Sequence, residues 1–191
     1  MKITPRALAC IALLPFTSLI SEAKNEWVSS DRDSTYTITA NSEHLVQDRS
    51  VTYLPELPVE LDKLDRYTIT LEVESTETVW NEAGIVFGGN EGDFHFLLIN
   101  SLEKYYTYGS HEARDLNANW QDIMFRVESD EIESSENKIQ IKKRSQSLEF
   151  YINGKRIAKS DLPNLDGQRI GFYLRAPGGV FTVKHIELQI K

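Results

Sequence analysis

Three carboxylates set close together are the first residues that could do chemistry. Glu128, Asp130 and Glu133 stand in the run Glu128-Ser129-Asp130-Glu131-Ile132-Glu133, a Glu-x-Asp-x-x-Glu spacing. Retaining glycoside hydrolysis needs two carboxyls roughly 5 to 5.5 Å apart, and strand alternation with a bulge can put them on one sheet face. The surroundings argue against that use. The run leads into Ser134-Ser135-Glu136-Asn137, without the apolar and aromatic neighbours that would raise the pKa of an acid. A solvated hairpin tip is the reading adopted, and no catalytic residue is assigned.

Histidine chemistry fares no better. His44, His95, His111 and His185 show no metal spacing, and the one cysteine, Cys10, falls in residues 1–23, which read as a signal peptide, so none is available to join them. Asn90, Glu91 and Asp93 supply oxygens in a glycine-rich loop, for which an acidic turn is the simpler account. Gly-x-Ser-x-Gly, Gly-x-Gly-x-x-Gly and the phosphate-binding loop are all absent. No metal and no cofactor are expected. His95, between Phe94 and Phe96, is either packed or open to a concave sheet face.

The aromatic residues carry the positive signal. Tyr105, Tyr106 and Tyr108, followed by His111, Arg114 and Trp120, gather flat amphipathic rings around one strand and its loop. Trp80, Tyr151, Tyr173 and Arg175 add to them. Sugar C–H faces stack on such rings while Arg, Asn and His fix hydroxyls. Tyr106, Tyr108, Trp120, Arg175, His95 and Tyr173 are therefore the expected ligand contacts. Alternation allows only one of Tyr105 and Tyr106 into a given face, so at least one should be exposed or line a groove.

Strands must position these residues. Tyr67, Ile69, Leu71 and Val73 alternate with Thr68, Thr70, Glu72 and Glu74, and the same period recurs at Ile123-Phe125-Val127, Leu148-Phe150-Ile152 and Ile170-Phe172-Leu174. Tyr67, Ile69, Leu71, Val73, Phe125, Phe150, Phe172 and Val183 are the predicted core. Phe94 to Asn100 is apolar on both faces and reads as a central strand. Asn153-Gly154 predicts a type I′ hairpin. Leu57 to Leu64 offers one short helical turn at most. Regular strands without helices predict an all-β, two-sheet antiparallel sandwich.

Residues 1–23 read as a signal peptide. Lys2 and Arg6 precede the apolar run Ala7 to Ile20, and Ser21-Glu22-Ala23 puts small residues at the cleavage positions. Cys10 precedes most of that run, which is the wrong order for a lipoprotein. The remainder, 24–191, reads as one domain without disulfides, secreted or periplasmic, and with no transmembrane segment. With 29 acids against 21 bases, net charge −8, the 191 residues are unsuited to nucleic acid, which needs clustered bases.

From residue 67 onward the ordered pieces Asn81-Glu-Ala-Gly-Ile-Val-Phe-Gly-Gly, Asp93-Phe-His-Phe-Leu-Leu-Ile-Asn100, Tyr105-Tyr-Thr-Tyr, Trp120, Leu148-Glu-Phe-Tyr-Ile-Asn-Gly154, Gly167-Gln-Arg-Ile-Gly-Phe-Tyr and Phe181-Thr-Val-Lys-His-Ile-Glu-Leu form a recognisable series. The series resembles the concanavalin A-like lectin/glucanase superfamily, in its bacterial laminin-G-like branch. The resemblance implies a jelly roll over 24–191, with Tyr36 to Val51 supplying N-terminal strands. In some members an Asp of the final strand helps to hold calcium; Lys184 and His185 stand there in this chain and cannot supply an oxygen cage.

A fold of this kind hosts enzymes, lectins and adhesion modules alike. The expected function is a secreted carbohydrate-binding, lectin-like domain without catalysis, its partner a glycan or glycoconjugate. A glycoside hydrolase or polysaccharide lyase is the first alternative. A domain that binds another envelope protein is the second.

Overall fold

The computed structural model describes residues 28–30, 35–46, 51–53, 55–75, 82–89, 93–114, 117–165, 167–175 and 179–191. The expected signal peptide, Trp80, Asn90 and Glu91 lie outside them. The described residues form β1 (Val28–Ser30), β2 (Thr35–Val46), β3 (Val51–Tyr53), a 3₁₀ turn (Leu61–Lys63), β4 (Arg66–Ser75), β5 (Glu82–Gly89), β6 (Phe94–Asn100), β7 (Tyr105–Arg114), β8 (Asn117–Glu128), β9 (Glu136–Arg144), β10 (Ser147–Ile152), β11 (Lys155–Asp161), β12 (Arg169–Arg175) and β13 (Gly179–Ile190). The strands make two antiparallel sheets, one of seven in the order β1-β2-β13-β4-β9-β10-β11 and one of six in the order β3-β12-β5-β6-β7-β8. This is the two-sheet antiparallel sandwich that the alternation predicted and the jelly roll that the resemblance implied.

The core lies between the sheets because each strand turns one alternate set inward. Tyr67, Ile69, Leu71 and Val73 of β4 meet Ile139 and Ile141 of β9, Leu148, Phe150 and Ile152 of β10, and Phe181, Val183, Ile186 and Leu188 of β13. The six-stranded sheet answers with Ala83, Ile85, Phe87, Leu97, Ile99, Ile170, Phe172 and Leu174. On β13 the inward set moves from 181 and 183 to 186 and 188, since the register shifts between Val183 and His185. That bulge frees Lys184, whose Nζ meets Glu136 at 2.6 Å and Glu74 at 3.9 Å.

Asn153 and Gly154, at φ +50 and +85, make the tight hairpin their residue types predict. Asn153 also accepts the Lys138 amide at 2.8 Å and donates to the Glu131 carbonyl at 2.8 Å, which ties that hairpin to the β8–β9 loop. Glu128, Asp130 and Glu133 are exposed, as the solvated-tip reading expects.

One predicted core position is overturned. Phe125 is 65% exposed and Ile123 is 56% exposed. Two register shifts in the β7–β8 pairing, either side of the Tyr108–Met124 pair, break the alternation. Met124 then turns towards the core and its two apolar neighbours turn out.

Candidate functional site

Register across the six-stranded sheet brings residues from distant parts of the sequence onto its outer face. Arg175 of β12 pairs with Glu82 of β5, Glu82 with Asn100 of β6, Asn100 with Tyr105 of β7, and Tyr105 with Glu128 of β8. Five polar residues thus form one row across five adjacent strands. The next row inward runs Tyr173, Gly84, Leu98 and Thr107, and the one beyond it Gly171, Val86, Phe96 and Gly109. Val86, Phe94, Phe96, Leu98 and Tyr173 make a second apolar cluster, separate from the inter-sheet core.

Glycine is required at two points of this surface. A Cβ on Gly84 would stand 2.0 Å from the Leu97 carbonyl oxygen, and one on Gly109 would meet the Gln121 carbonyl oxygen at 2.2 Å and the Phe96 ring at 2.8 Å. Strands approach closely here because no side chain intervenes.

From Arg175 to Tyr105 the polar row is hydrogen-bonded. The Tyr105 hydroxyl donates to Glu82 Oε1 at 2.8 Å and accepts from Asn100 Nδ2 at 3.4 Å. Arg175 Nη1 lies 3.5 Å from the other Glu82 oxygen. Asn100, with no exposed surface, fixes the following turn by accepting the Glu103 amide at 2.7 Å. Burial, then the bond to Glu82, pushes the Tyr105 phenol up to about 12, so it stays a neutral donor. Arg126 is held at φ +47 in the β8 bulge, its amide donating to Thr107 Oγ1 at 3.3 Å. Its guanidinium lies 5.0 Å from the Tyr105 ring centroid and 5.4 Å from that of Phe125.

Of the residues expected to touch ligand, Tyr173 and Arg175 lie on this face. Tyr106 and Tyr108 do not. Both are buried in the inter-sheet core, where Tyr108 packs against Phe150 with ring centroids 4.5 Å apart. Neither Tyr105 nor Tyr106 is exposed: Tyr106 is buried in the inter-sheet core, and Tyr105 is buried on the outer face beneath Arg126. His95 also faces inward: it pairs with Phe87, its ring 5.8 Å away, and its Nε2 donates to the Asn164 carbonyl at 3.0 Å. Trp120 pairs in register with His111, while its side chain lies outside the described residues. His111 stacks on Phe94 at 4.8 Å.

Glu82 and Asn100 were missed from sequence, although a polar Asn closing the apolar run Phe94 to Ile99 was a visible signal.

In fold the chain is similar to sheep galectin-11 in complex with glycerol, with a TM-score of 0.51 at 12% identity over 72% of this chain and 96% of that one. A galectin of Caenorhabditis elegans gives 0.45 at 10% identity, over 79% and 98% of the two chains. A carbohydrate binding module of Bacillus subtilis gives 0.42 at 9%, over 84% and 91%. The fold is the concanavalin A-like jelly roll. No protein-family model and no curated protein sequence matches the chain.

Proposed function

We propose that this is an exported, lectin-like domain that binds a glycan or glycoconjugate without cleaving it. The carrying observation is the row in which Arg175 meets Glu82 and the Tyr105 hydroxyl is bonded to both Glu82 and Asn100, backed by the buried cluster of Phe96, Leu98 and Tyr173. An exposed polar group held on a rigid, packed support suits a ligand whose hydroxyls must be fixed in place. Arg175, exposed at the row's end, presents a planar fork to neighbouring hydroxyls, and Glu82 keeps that fork in place. Export rests on the signal-peptide character of residues 1–23, and gives a periplasmic or secreted protein.

The carboxylates of this face argue against cleavage. Glu82 and Glu128 are three strand spacings apart, which separates their backbones by roughly 14 Å. Glu82 is engaged by Tyr105 and Arg175. Hydrolysis needs a pair about 5 to 9.5 Å apart.

A glycan array probed with the purified chain, followed by calorimetry on the hits, tests the reading. Arg175→Ala should weaken the complex roughly tenfold, a loss of about 1.4 kcal/mol. Asp130→Asn, in the distant β8–β9 loop, should leave it unchanged. Release of reducing ends that disappears in Glu82→Gln would establish the hydrolase instead. Absence of any sugar hit would favour a protein partner, for which Ile123 and Phe125 on the edge strand β8 give an exposed apolar contact.

A further inference from the structure

The opposite, outer face of the seven-stranded sheet carries a concentration of positive charge that the acidic composition conceals. Alternation buries Tyr67 on β4 and Ile141 and Lys143 on β9, and so sends Arg66, Thr68, Lys142 and Arg144 outward. Register then sets Arg66 directly opposite Arg144, and Thr68 opposite Lys142. Like charges directly opposite on adjacent strands destabilise a sheet. Lys191 joins them, its amide bonded to the Arg66 carbonyl at 3.1 Å. A cavity of about 300 Å³ opens among Arg66, Thr68, Lys142, Arg144, Ser145 and Lys191.

The neighbouring acids do not neutralise this cluster. Glu149 reaches Arg144 at 3.2 Å, but it also holds Arg156 at 3.3 Å and the Tyr151 hydroxyl at 2.9 Å. Among the described residues, no carboxylate lies within salt-bridge distance of Arg66, Lys142 or Lys191. Lys142 sits 3.8 Å from the Tyr151 ring centroid. Burial first, and then the charges of Lys191 and Arg144, lower its pKa. Beneath the cluster Lys143 adds a further charge, its Nζ donating to the Asp62 and Leu61 carbonyls at 3.1 and 3.4 Å.

From this arrangement we infer a second binding site, distinct from the proposed glycan face: a receptor for a phosphate or sulfate group, held by Arg66, Lys142 and Lys191 with the Thr68 hydroxyl beside them. Such an oxyanion accepts charge-assisted bonds from several donors at once and removes the repulsion between Arg66 and Arg144. The group can arrive as a free ion or as a substituent on a polysaccharide.

Calorimetric titrations of the purified chain with inorganic phosphate, inorganic sulfate, dextran sulfate and uncharged dextran separate these sources. Saturable binding of the free ions identifies a small-anion site. Saturable binding of dextran sulfate alone identifies a polymer-borne group. In either case R66Q/K142Q should weaken the interaction at least about tenfold, K142R should retain it, and added salt should weaken it. Circular dichroism of the variants checks the fold. Neutral-sugar binding should be the same in R66Q/K142Q as in the wild type, which separates this site from the other. The inference fails if no anion binds, if uncharged dextran binds as well as dextran sulfate, or if the folded double variant binds the anions like the wild type.

Discussion

Tyr105 shows how much one residue does when its partners come from other strands. Its hydroxyl satisfies both Glu82 and Asn100, so Tyr105→Phe leaves a carboxylate oxygen and a buried amide without that partner. A loss of about 1 to 3 kcal/mol is expected by urea denaturation at neutral pH, with the slope unchanged. A loss under about 0.5 kcal/mol would place the hydroxyl outside the network. Acid sensitivity arises from different residues. The bond from Lys138 lowers the Glu72 carboxyl below its ordinary value of 4.5, and the bond from Tyr151 does the same for Glu149. A carboxyl depressed in the folded state stabilises above its unfolded pKa, and that stability is lost as pH falls through the folded value. The melting temperature should therefore drop as pH falls below about 4.5. Glu72→Gln should lower it at neutral pH and flatten the acid slope, which thermal melts between pH 2 and 7 would measure.

At the level of elements, the strands were legible wherever the ladder is regular. The alternation of β4 and β10 alone assigns Tyr67, Ile69, Leu71, Val73 and Phe150 to the core, where they are found. The failures sit at bulges. Nothing in Gln121-Asp122-Ile123-Met124-Phe125-Arg126-Val127 announces two register shifts, because an extra residue on an edge strand costs little and leaves no mark in the hydrophobic pattern. Phe150→Ala should accordingly cost roughly 3 to 5 kcal/mol and Phe125→Ala under about 0.5 kcal/mol, a contrast readable from two urea curves. Equal losses would reject the bulged register of β8. The turn between β6 and β7 escaped notice for a related reason. Asn100 looked like the end of an apolar strand, yet its side chain, bound to Glu103 and Tyr105, fixes the entry to β7.

Across the whole molecule, the sandwich could be read from the sequence, but of the candidate sites only Tyr173 and Arg175 could, because each site is made by strands that are distant in sequence. Arg175 meets Glu82 only through the β12–β5 pairing, and Lys191 reaches Arg66 only because β13 lies beside β4. The same topology makes the last strand structurally central. β13 is inserted between β2 and β4, so it joins β1 and β2 to the rest of the seven-stranded sheet. Phe181, Val183, Ile186 and Leu188 are completely buried along it. At about 1.5 to 3 kcal/mol for each buried side chain, their removal forfeits roughly 6 to 12 kcal/mol. That is comparable with the entire stability of an ordinary domain, about 5 to 15 kcal/mol. A chain ending at Arg175 should therefore lack a cooperative urea transition and bind a hydrophobic dye, as a collapsed but unpacked state does. A cooperative transition with an intact β-type circular dichroism spectrum in that truncated chain would mean that β4 and β2 close the sheet without β13, and the strand order would have to be redrawn.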